Sequence, residues 1–148
     1  MASFSPPIYS HHDIPAVAPS YALTATELYA LCDRSSAAKA TAYCPYSRFR
    51  VGATILTTDG QYISGANVEN ASYSVSTCAE RVAFGKAVTD LAGQAEAGGG
   101  LKEWKEPENG VRRGFKALAV AANTSTPISP CGMCRQLWVI LSSVNNRV

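Results

Sequence analysis

Three cysteines constrain the fold of this chain more than any other feature of its sequence. Cys131 and Cys134 form a C-x-x-C pair at the start of a predicted helix, and their spacing places both sulfurs on one helical face. Cys78 opens another predicted helix much earlier in the chain, where a helix N-terminus favours the thiolate that a metal requires. If the three bind one ion, the fold must bring these two helix starts together. A redox-active pair is the alternative that C-x-x-C alone leaves open.

The length and composition of the chain describe a single globular domain. It has 148 residues, of which 47% are hydrophobic and 16% are charged, and this composition argues against wholesale disorder. The net charge is only +2 and the basic residues are scattered. Because a nucleic-acid-binding protein carries a clustered basic surface, we expect no nucleic-acid partner.

The cysteine count and the N-terminus predict a cytoplasmic protein with reduced thiols. Five cysteines is an odd number, and the first residues lack the basic and apolar regions of a secretory signal. No stretch approaches the roughly 18 apolar residues of a membrane-spanning helix. Clustered cysteines in such a protein bind metal or carry out chemistry more often than they form disulfides. We interpret Cys32 and Cys44 as small buried residues with inert thiols.

The positions of prolines and of a helix-capping motif predict an N-terminal arm followed by one domain. Residues 1–23 contain four prolines, which favours a flexible arm without regular elements, and residues 24–148 form the domain. Thr24 and Glu27 have the spacing of a capping box, so a helix begins there and continues toward Cys44-Pro45.

The remaining pattern predicts a layered α/β fold. Further along the chain we predict a β-hairpin that turns at Asp59-Gly60, a helix over residues 78–91, a strand over residues 116–122 and a helix after Cys131. The apolar composition of the predicted strand is typical of one buried on both faces. This order predicts an α/β/α domain with helices packed on a mixed sheet, interrupted by a Gly-rich insertion at residues 93–114.

Glu80 makes a catalytic metal site the favoured interpretation. Three cysteines without a credible fourth ligand are typical of a zinc site that keeps one position for water. Glu80 lies two residues after Cys78, where its carboxylate can move a proton between water and substrate. A ligand-x-Glu pair followed by Pro-Cys-x-x-Cys is the pattern of zinc deaminases. The alternative for Glu80 is an exposed first-turn acid that the helix dipole stabilises.

Arg81 is a candidate for balancing the charge of the metal site. Three thiolates around Zn²⁺ carry a net negative charge, which weakens the ability of the ion to acidify water. Arg81 lies three residues after Cys78 and therefore on the same helical face, where its guanidinium can donate to the ligand sulfur. An ordinary surface arginine is the alternative.

Four segments closely resemble the small, homotetrameric, zinc-dependent class of cytidine deaminase: residues 46–53, 65–73, 78–81 and 129–136. The resemblance covers about residues 24–142. It implies hydrolytic deamination of cytidine and deoxycytidine to uridine and deoxyuridine in pyrimidine salvage. In that chemistry a zinc-bound hydroxide attacks C4, Glu80 protonates the ring nitrogen and ammonia leaves.

The same resemblance implies which residues contact the nucleoside. Asn67 and Glu69 hold the ribose hydroxyls, Phe49 flanks the pyrimidine, the Ala79 N–H meets the base carbonyl, the Ser129 carbonyl guides the amino group, and Tyr73 reaches into a neighbouring subunit's pocket. Independently of the resemblance, Asn67 and Glu69 are two residues apart in extended chain and therefore share one face. A polar turn after a strand is the alternative for this pair.

The chain departs from the resembling family near its end. That family usually continues past the third cysteine through further strands and a final helix, whereas this chain ends soon afterwards, at Val148. We therefore expect shortened or missing C-terminal strands, with a homotetramer or a dimer as the assembly. Two other functions stay open: a noncatalytic zinc-stabilised assembly module, and a deaminase of another aminopyrimidine such as blasticidin S.

Overall fold

The computed structural model describes residues 10–93, 114–124 and 128–142. Most of the Gly-rich insertion and the last six residues lie outside these ranges. The helices are α1 (Ile14–Val17), α2 (Ala25–Ala38), α3 (Ala79–Gly93) and α4 (Gly132–Ser142), and the strands are β1 (Val51–Thr57), β2 (Tyr62–Ala66) and β3 (Phe115–Ala122). The predicted α/β class and the predicted order of helix, hairpin, helix, strand and helix are confirmed from α2 onward.

The described strands form one antiparallel sheet in the order β2-β1-β3. The central strand β1 pairs on both sides, so that Ala53 lies opposite Gly65 in β2 and opposite Val120 in β3. Gly60 occupies the hairpin turn with φ of 84°, a conformation that favours glycine. The sheet is thus antiparallel within the described residues and not mixed, since a short hairpin can join only antiparallel strands and β3 also runs antiparallel to β1.

Helices cover both faces of this sheet. On one face, Leu31 of α2 packs in a buried cluster with Leu56 of β1. On the other face, Ala53 and Ile55 of β1 pack against Phe84 of α3. These faces differ because successive side chains of a strand point in opposite directions. The result is the predicted α/β/α layering, with α3 held against the hairpin.

Residues 11–21 form helical turns, so the prediction of an arm without regular elements was wrong there. Short 3-10 turns flank α1, and Ile14 and Ala18 are buried. Pro15 and Pro19 lie in the first turns of their short helices, where no intrahelical N–H donor is needed. Residues 1–9 lie outside the described ranges, and the domain boundary at residue 24 stays a prediction.

The β3 strand is less buried than its apolar sequence predicts. Its residues are half-buried, and Lys116 is exposed. Within the described part of the chain β3 pairs only with β1, so one edge of the strand lacks a neighbour there. Lys116 instead forms an ion pair of 2.6 Å with Glu27 of α2. The strand packs on both faces as predicted, with Leu118 and Val120 on the α3 side and Ala117 and Ala119 on the α2 side, but its burial is only partial.

The two cysteines outside the predicted metal site differ in burial. Cys44 is buried, as expected, whereas Cys32 is only half-buried. Every helix of the described ranges is too short or too polar to cross a bilayer.

Candidate metal centre

The three predicted cysteine ligands converge in the structure. Their Sγ atoms all lie within 4.8 Å of one another. Cys131 Sγ is 3.8 Å from Cys78 Sγ and 3.4 Å from Cys134 Sγ. A tetrahedral zinc ion with Zn–S bonds of about 2.3 Å requires sulfurs about 3.8 Å apart, so the cluster fits zinc. The predicted zinc cofactor is supported on this ground.

Two helix N-termini bring the sulfurs together. Cys78 immediately precedes α3, and its carbonyl accepts the N–H of Val82 at 3.1 Å. Cys131 immediately precedes α4, and its carbonyl accepts the N–H of Arg135 at 3.0 Å. The Arg135 Nε also donates to the Pro130 carbonyl at 2.9 Å, which fastens the turn before α4. Both helix dipoles therefore favour thiolates at one point.

The three thiols differ in burial. Cys134 is buried, Cys78 is half-buried and Cys131 is exposed, so the cluster reaches solvent on the Cys131 side. The N–H of Cys134 donates to the Cys131 sulfur and lowers the pKa of Cys131. Burial, by contrast, raises the pKa of Cys134. The arrangement has one solvent-facing side, as a site that admits water and a substrate requires.

Glu80 is buried beside the cluster. It is the second residue of α3 and only 6% exposed, so the alternative of an exposed first-turn acid was wrong. Its charge acts on Cys134, whose pKa it raises further in addition to the effect of burial. The carboxylate therefore lies within electrostatic range of a metal ligand, without belonging to the sulfur cluster.

Arg81 connects the cluster to the loop before α3. Its Nη2 donates to the Ser76 carbonyl at 2.7 Å and lies 3.8 Å from Cys78 Sγ. The hydrogen bond with Cys78 is the main reason that the pKa of Arg81 is raised. This half-buried side chain thus lies where positive charge offsets the negative charge of the thiolates.

Asn67 faces the loop that precedes β1. Its Oδ1 accepts the N–H of Val51 at 2.9 Å, and its Nδ2 donates to the Phe49 carbonyl at 2.9 Å. Because each amide group has further hydrogen-bonding capacity, these contacts orient the side chain and leave it able to bind a ligand.

Glu69 faces the same loop through its carboxylate. Oε2 accepts the N–H groups of Tyr46 at 2.9 Å and of Ser47 at 3.2 Å, and Oε1 accepts the Ser47 hydroxyl. These bonds, the Ser47 hydroxyl first, lower the pKa of Glu69. The role of Ser47 was missed from the sequence, since the two residues lie far apart in the chain and spacing does not show which hydroxyl faces which carboxylate.

A pair of backbone bonds links the Asn67 and Glu69 region to the metal centre. Val68 N donates to Thr77 O at 2.9 Å, and Thr77 N donates to Val68 O at 2.8 Å. Val68 lies between Asn67 and Glu69, and Thr77 precedes Cys78. The two groups of candidate residues are therefore held in fixed relation to each other.

The remaining candidate residues lie around these two groups. Ala79 is fully buried at the first position of α3, where its N–H has no intrahelical acceptor. Ser129 is exposed in the segment that leads to Cys131. Phe49 is 37% exposed and Tyr73, in a 3-10 turn, is 88% exposed.

Comparisons with known proteins agree on one family. The model of the cytidine and deoxycytidylate deaminase zinc-binding region matches residues 26–147. A cytidine deaminase of Sporosarcina psychrophila is 47% identical over 107 residues, which cover 72% of this chain and 64% of that protein. One from Halalkalibacterium halodurans is 42% identical over 107 residues, covering 72% and 66%. The chain therefore spans slightly less than two thirds of the length of these curated relatives.

Solved structures lead to the same family. The crystal structure of cytidine deaminase from Burkholderia pseudomallei matches with a TM-score of 0.59 and 40% identity, covering 76% of this chain and 75% of that chain. The structure of cytidine deaminase from Mycobacterium tuberculosis matches with a TM-score of 0.56 and 34% identity, covering 78% and 77%.

Proposed function

Because the chain belongs to the family of the cytidine and deoxycytidylate deaminase zinc-binding region, we propose that it catalyses the zinc-dependent hydrolytic deamination of cytidine and deoxycytidine. The products are uridine, deoxyuridine and ammonia. One observation carries this proposal: three sulfurs at zinc-ligand separation lie beside a buried carboxylate that is not part of the sulfur cluster. A purely structural zinc site closes with four protein ligands and needs no such acid.

Glu80 is the proton carrier of the proposed reaction. When bound, zinc acts as a Lewis acid that makes water a stronger nucleophile at neutral pH. The Glu80 carboxylate accepts a proton from water as the water oxygen bonds to C4, and it delivers that proton to the pyrimidine ring nitrogen. It then carries the remaining hydroxyl proton to the amino group, so that the C4–N bond breaks and ammonia leaves. Its burial at the start of α3 excludes bulk water, which otherwise competes for the proton.

The nucleoside contacts in this proposal follow the family resemblance. Asn67 and Glu69 bind the ribose hydroxyls and Phe49 flanks the pyrimidine. The N–H of Ala79, which has no intrahelical acceptor, meets the base carbonyl, and the Ser129 carbonyl accepts from the amino group. The support for the sugar contacts is that the Asn67 and Glu69 side chains are both held by the loop before β1, through the Phe49 carbonyl and the Tyr46 N–H.

The assembly and the compartment belong to the same proposal. A homotetramer, or a dimer, places Tyr73 in a neighbouring subunit's pocket, and the 88% exposure of this side chain supports such a contact. The proposed role is in pyrimidine salvage, in the cytoplasm. The five free thiols support this compartment, because a reducing environment keeps cysteines free.

The Glu80→Gln variant tests the proposed chemistry. We expect it to retain one zinc ion per chain and to lose at least a hundredfold in kcat, because the amide cannot carry a proton. Turnover is followed by the change in ultraviolet absorbance of cytidine, and zinc by elemental analysis. Asp33→Asn is the matched control, since that acid is exposed on α2 away from the sulfur cluster and its replacement should leave turnover unchanged. Undiminished turnover in the Glu80 variant would refute the assignment of the proton carrier.

The same assay on the unaltered protein separates the competing functions. Zinc binding without turnover of any aminopyrimidine would identify a noncatalytic assembly module. Blasticidin S turned over in preference to cytidine would identify a different substrate class. Because Asn67 and Glu69 recognise the ribose hydroxyls, we expect cytidine to be strongly preferred over aminopyrimidines that lack these hydroxyls.

A further inference from the structure

We propose that Ser47 is a positioning residue that fixes the carboxylate of Glu69 and the backbone of Phe49 for recognition of the sugar hydroxyls. The inference rests on the proposed function and names a residue through which its sugar specificity is set. Ser47 lies in the loop between Cys44 and β1, and its bonds reach both the sugar-binding and the base-flanking residues.

Two bonds define the orientation of the Ser47 hydroxyl. Its oxygen accepts the N–H of Phe49 at 3.0 Å, while the hydroxyl donates to Glu69 Oε1. A serine hydroxyl has one hydrogen and two lone pairs. The Phe49 N–H occupies one lone pair of the Ser47 oxygen, and the hydroxyl hydrogen points at Glu69. The hydroxyl therefore couples the positions of the two residues.

The Glu69 carboxylate is left with one vacant acceptor direction. An ionised carboxylate offers about four lone-pair sites on its two oxygens. Oε2 already accepts two backbone N–H groups, from Tyr46 and Ser47, and Oε1 accepts the Ser47 hydroxyl. With three sites occupied by contacts among the described residues, the remaining lone pair on Oε1 is available to a single hydroxyl of a ligand. Ser47 therefore determines where that acceptor points.

The charge state of Glu69 depends on the same hydroxyl. Hydrogen bonds from Ser47, with smaller contributions from the backbone of Tyr46 and Ser47, lower the pKa of Glu69. The loop between Cys44 and β1 carries two charged side chains, Arg48 and Arg50, and Arg50 donates to the Ala40 carbonyl. Neither arginine bonds to the carboxylate. Within the part of the chain that the structure describes, the ionised form is therefore held by hydrogen bonds and not by an ion pair.

Ser47→Ala tests this role with two substrates. For cytidine we expect kcat/KM to fall about tenfold, mainly through KM, because binding in ground state and transition state is lost alike. For 2′,3′-dideoxycytidine, which lacks the 2′ and 3′ hydroxyls, we expect less than a twofold change. The acid limb of the kcat/KM profile for cytidine should also move to higher pH, since Glu69 becomes protonated more readily without the hydroxyl. Ser47→Thr should restore all three properties, and Ser36→Ala, an exposed serine on α2, should leave them unchanged.

Several results would overturn the proposal. Equal losses for cytidine and its dideoxy analogue would show that Ser47 acts only through general folding, and an unaltered KM for cytidine would show that it does not act at all. If the unaltered protein does not deaminate cytidine, the proposed function fails separately. In that case NMR titration of the Glu69 carboxyl in both proteins still decides the matter. A pKa that does not rise in Ser47→Ala would refute the positioning contact.

Discussion

Gly65 is the residue at which β2 comes closest to α3. A methyl group at this position would lie 2.5 Å from Ala83 N and 2.7 Å from Ala79 O. Both are backbone atoms, so rotation of a side chain cannot relieve the overlap. Since Ala79 follows Cys78 and precedes Glu80, this glycine sets the distance between the hairpin and the start of the metal-binding helix.

Gly65→Ala should therefore destabilise the protein and disturb the metal centre together. We expect a loss of about 1–3 kcal/mol in the free energy of unfolding, because an overpacked contact must move backbone. Denaturant unfolding measures this loss, and zinc retention under chelator competition should fall with it. Gly85→Ala is the control. Gly85 lies in α3, the helix that Gly65 approaches, and nothing lies within 4 Å of its added methyl group. That change should stabilise the protein by about 0.5–1 kcal/mol. Similar effects of the two substitutions would contradict the close-approach argument.

At the scale of the elements, α2 is defined by contacts at its first turn. Thr24 Oγ1 accepts the N–H of Glu27 at 3.2 Å, and the Thr24 N–H donates to the Glu27 carboxylate at 2.9 Å. The same carboxylate pairs with Lys116 of β3, and the Lys116 hydrogen bond is the main reason that the pKa of Glu27 is lowered. One acid thus caps the helix and joins it to the sheet.

Thr24→Ala removes the cap but leaves the ion pair in place. We expect the free energy of unfolding to fall by about 1 kcal/mol at neutral pH. Because the folded pKa of Glu27 lies below its unfolded value, its contribution is present at neutral pH and is lost as the pH falls through the folded pKa. Urea denaturation at pH 7 and at acidic pH measures both effects. Thr41→Ala, which removes an exposed hydroxyl bonded to Ala38 O, should cost less than about 0.5 kcal/mol. An equal loss in both variants would contradict the capping role.

Local sequence signals predicted these elements, whereas features that depend on contacts between distant residues could not be predicted from the sequence. The capping box and the hairpin turn at Gly60 depend on residues within a few positions, so their spacing was sufficient. The burial of Ile14 and the half-buried state of β3 depend on what packs against them, which spacing does not encode. The cysteines were a special case, because metal chemistry requires distant sulfurs to meet. Ser47 carried no such requirement, and its contact with Glu69 became visible only in the structure.

At the scale of the whole molecule, the metal centre joins two helices that otherwise share few contacts. Cys78 precedes α3, while Cys131 and Cys134 belong to the start of α4. Beyond the sulfurs, α4 packs on α3 through Trp138, whose ring centroid is 5.7 Å from that of Phe84. Without an ion, Cys134 keeps its proton because burial raises its pKa, and only weak S–H···S contacts, of 3.4 Å within the start of α4 and of 3.8 Å between the two helix starts, join the sulfurs. The attachment of α4 to the rest of the domain should therefore depend on the metal.

Zinc removal should accordingly loosen α4 and lower the melting temperature. An ion present at a thousand times its Kd stabilises the folded state by about 4 kcal/mol, which corresponds to about 10 °C for a domain of this size. Calorimetry with and without a chelator measures this shift. In a Trp104→Phe background, Trp138 is the only indole, so its emission should move to longer wavelength on chelation as α4 separates from Phe84. The Cys78→Ser variant should already melt near the temperature of the chelated protein and respond little to chelator. A melting temperature and a Trp138 emission that chelation leaves unchanged would show that α4 is held by packing alone, independently of the metal.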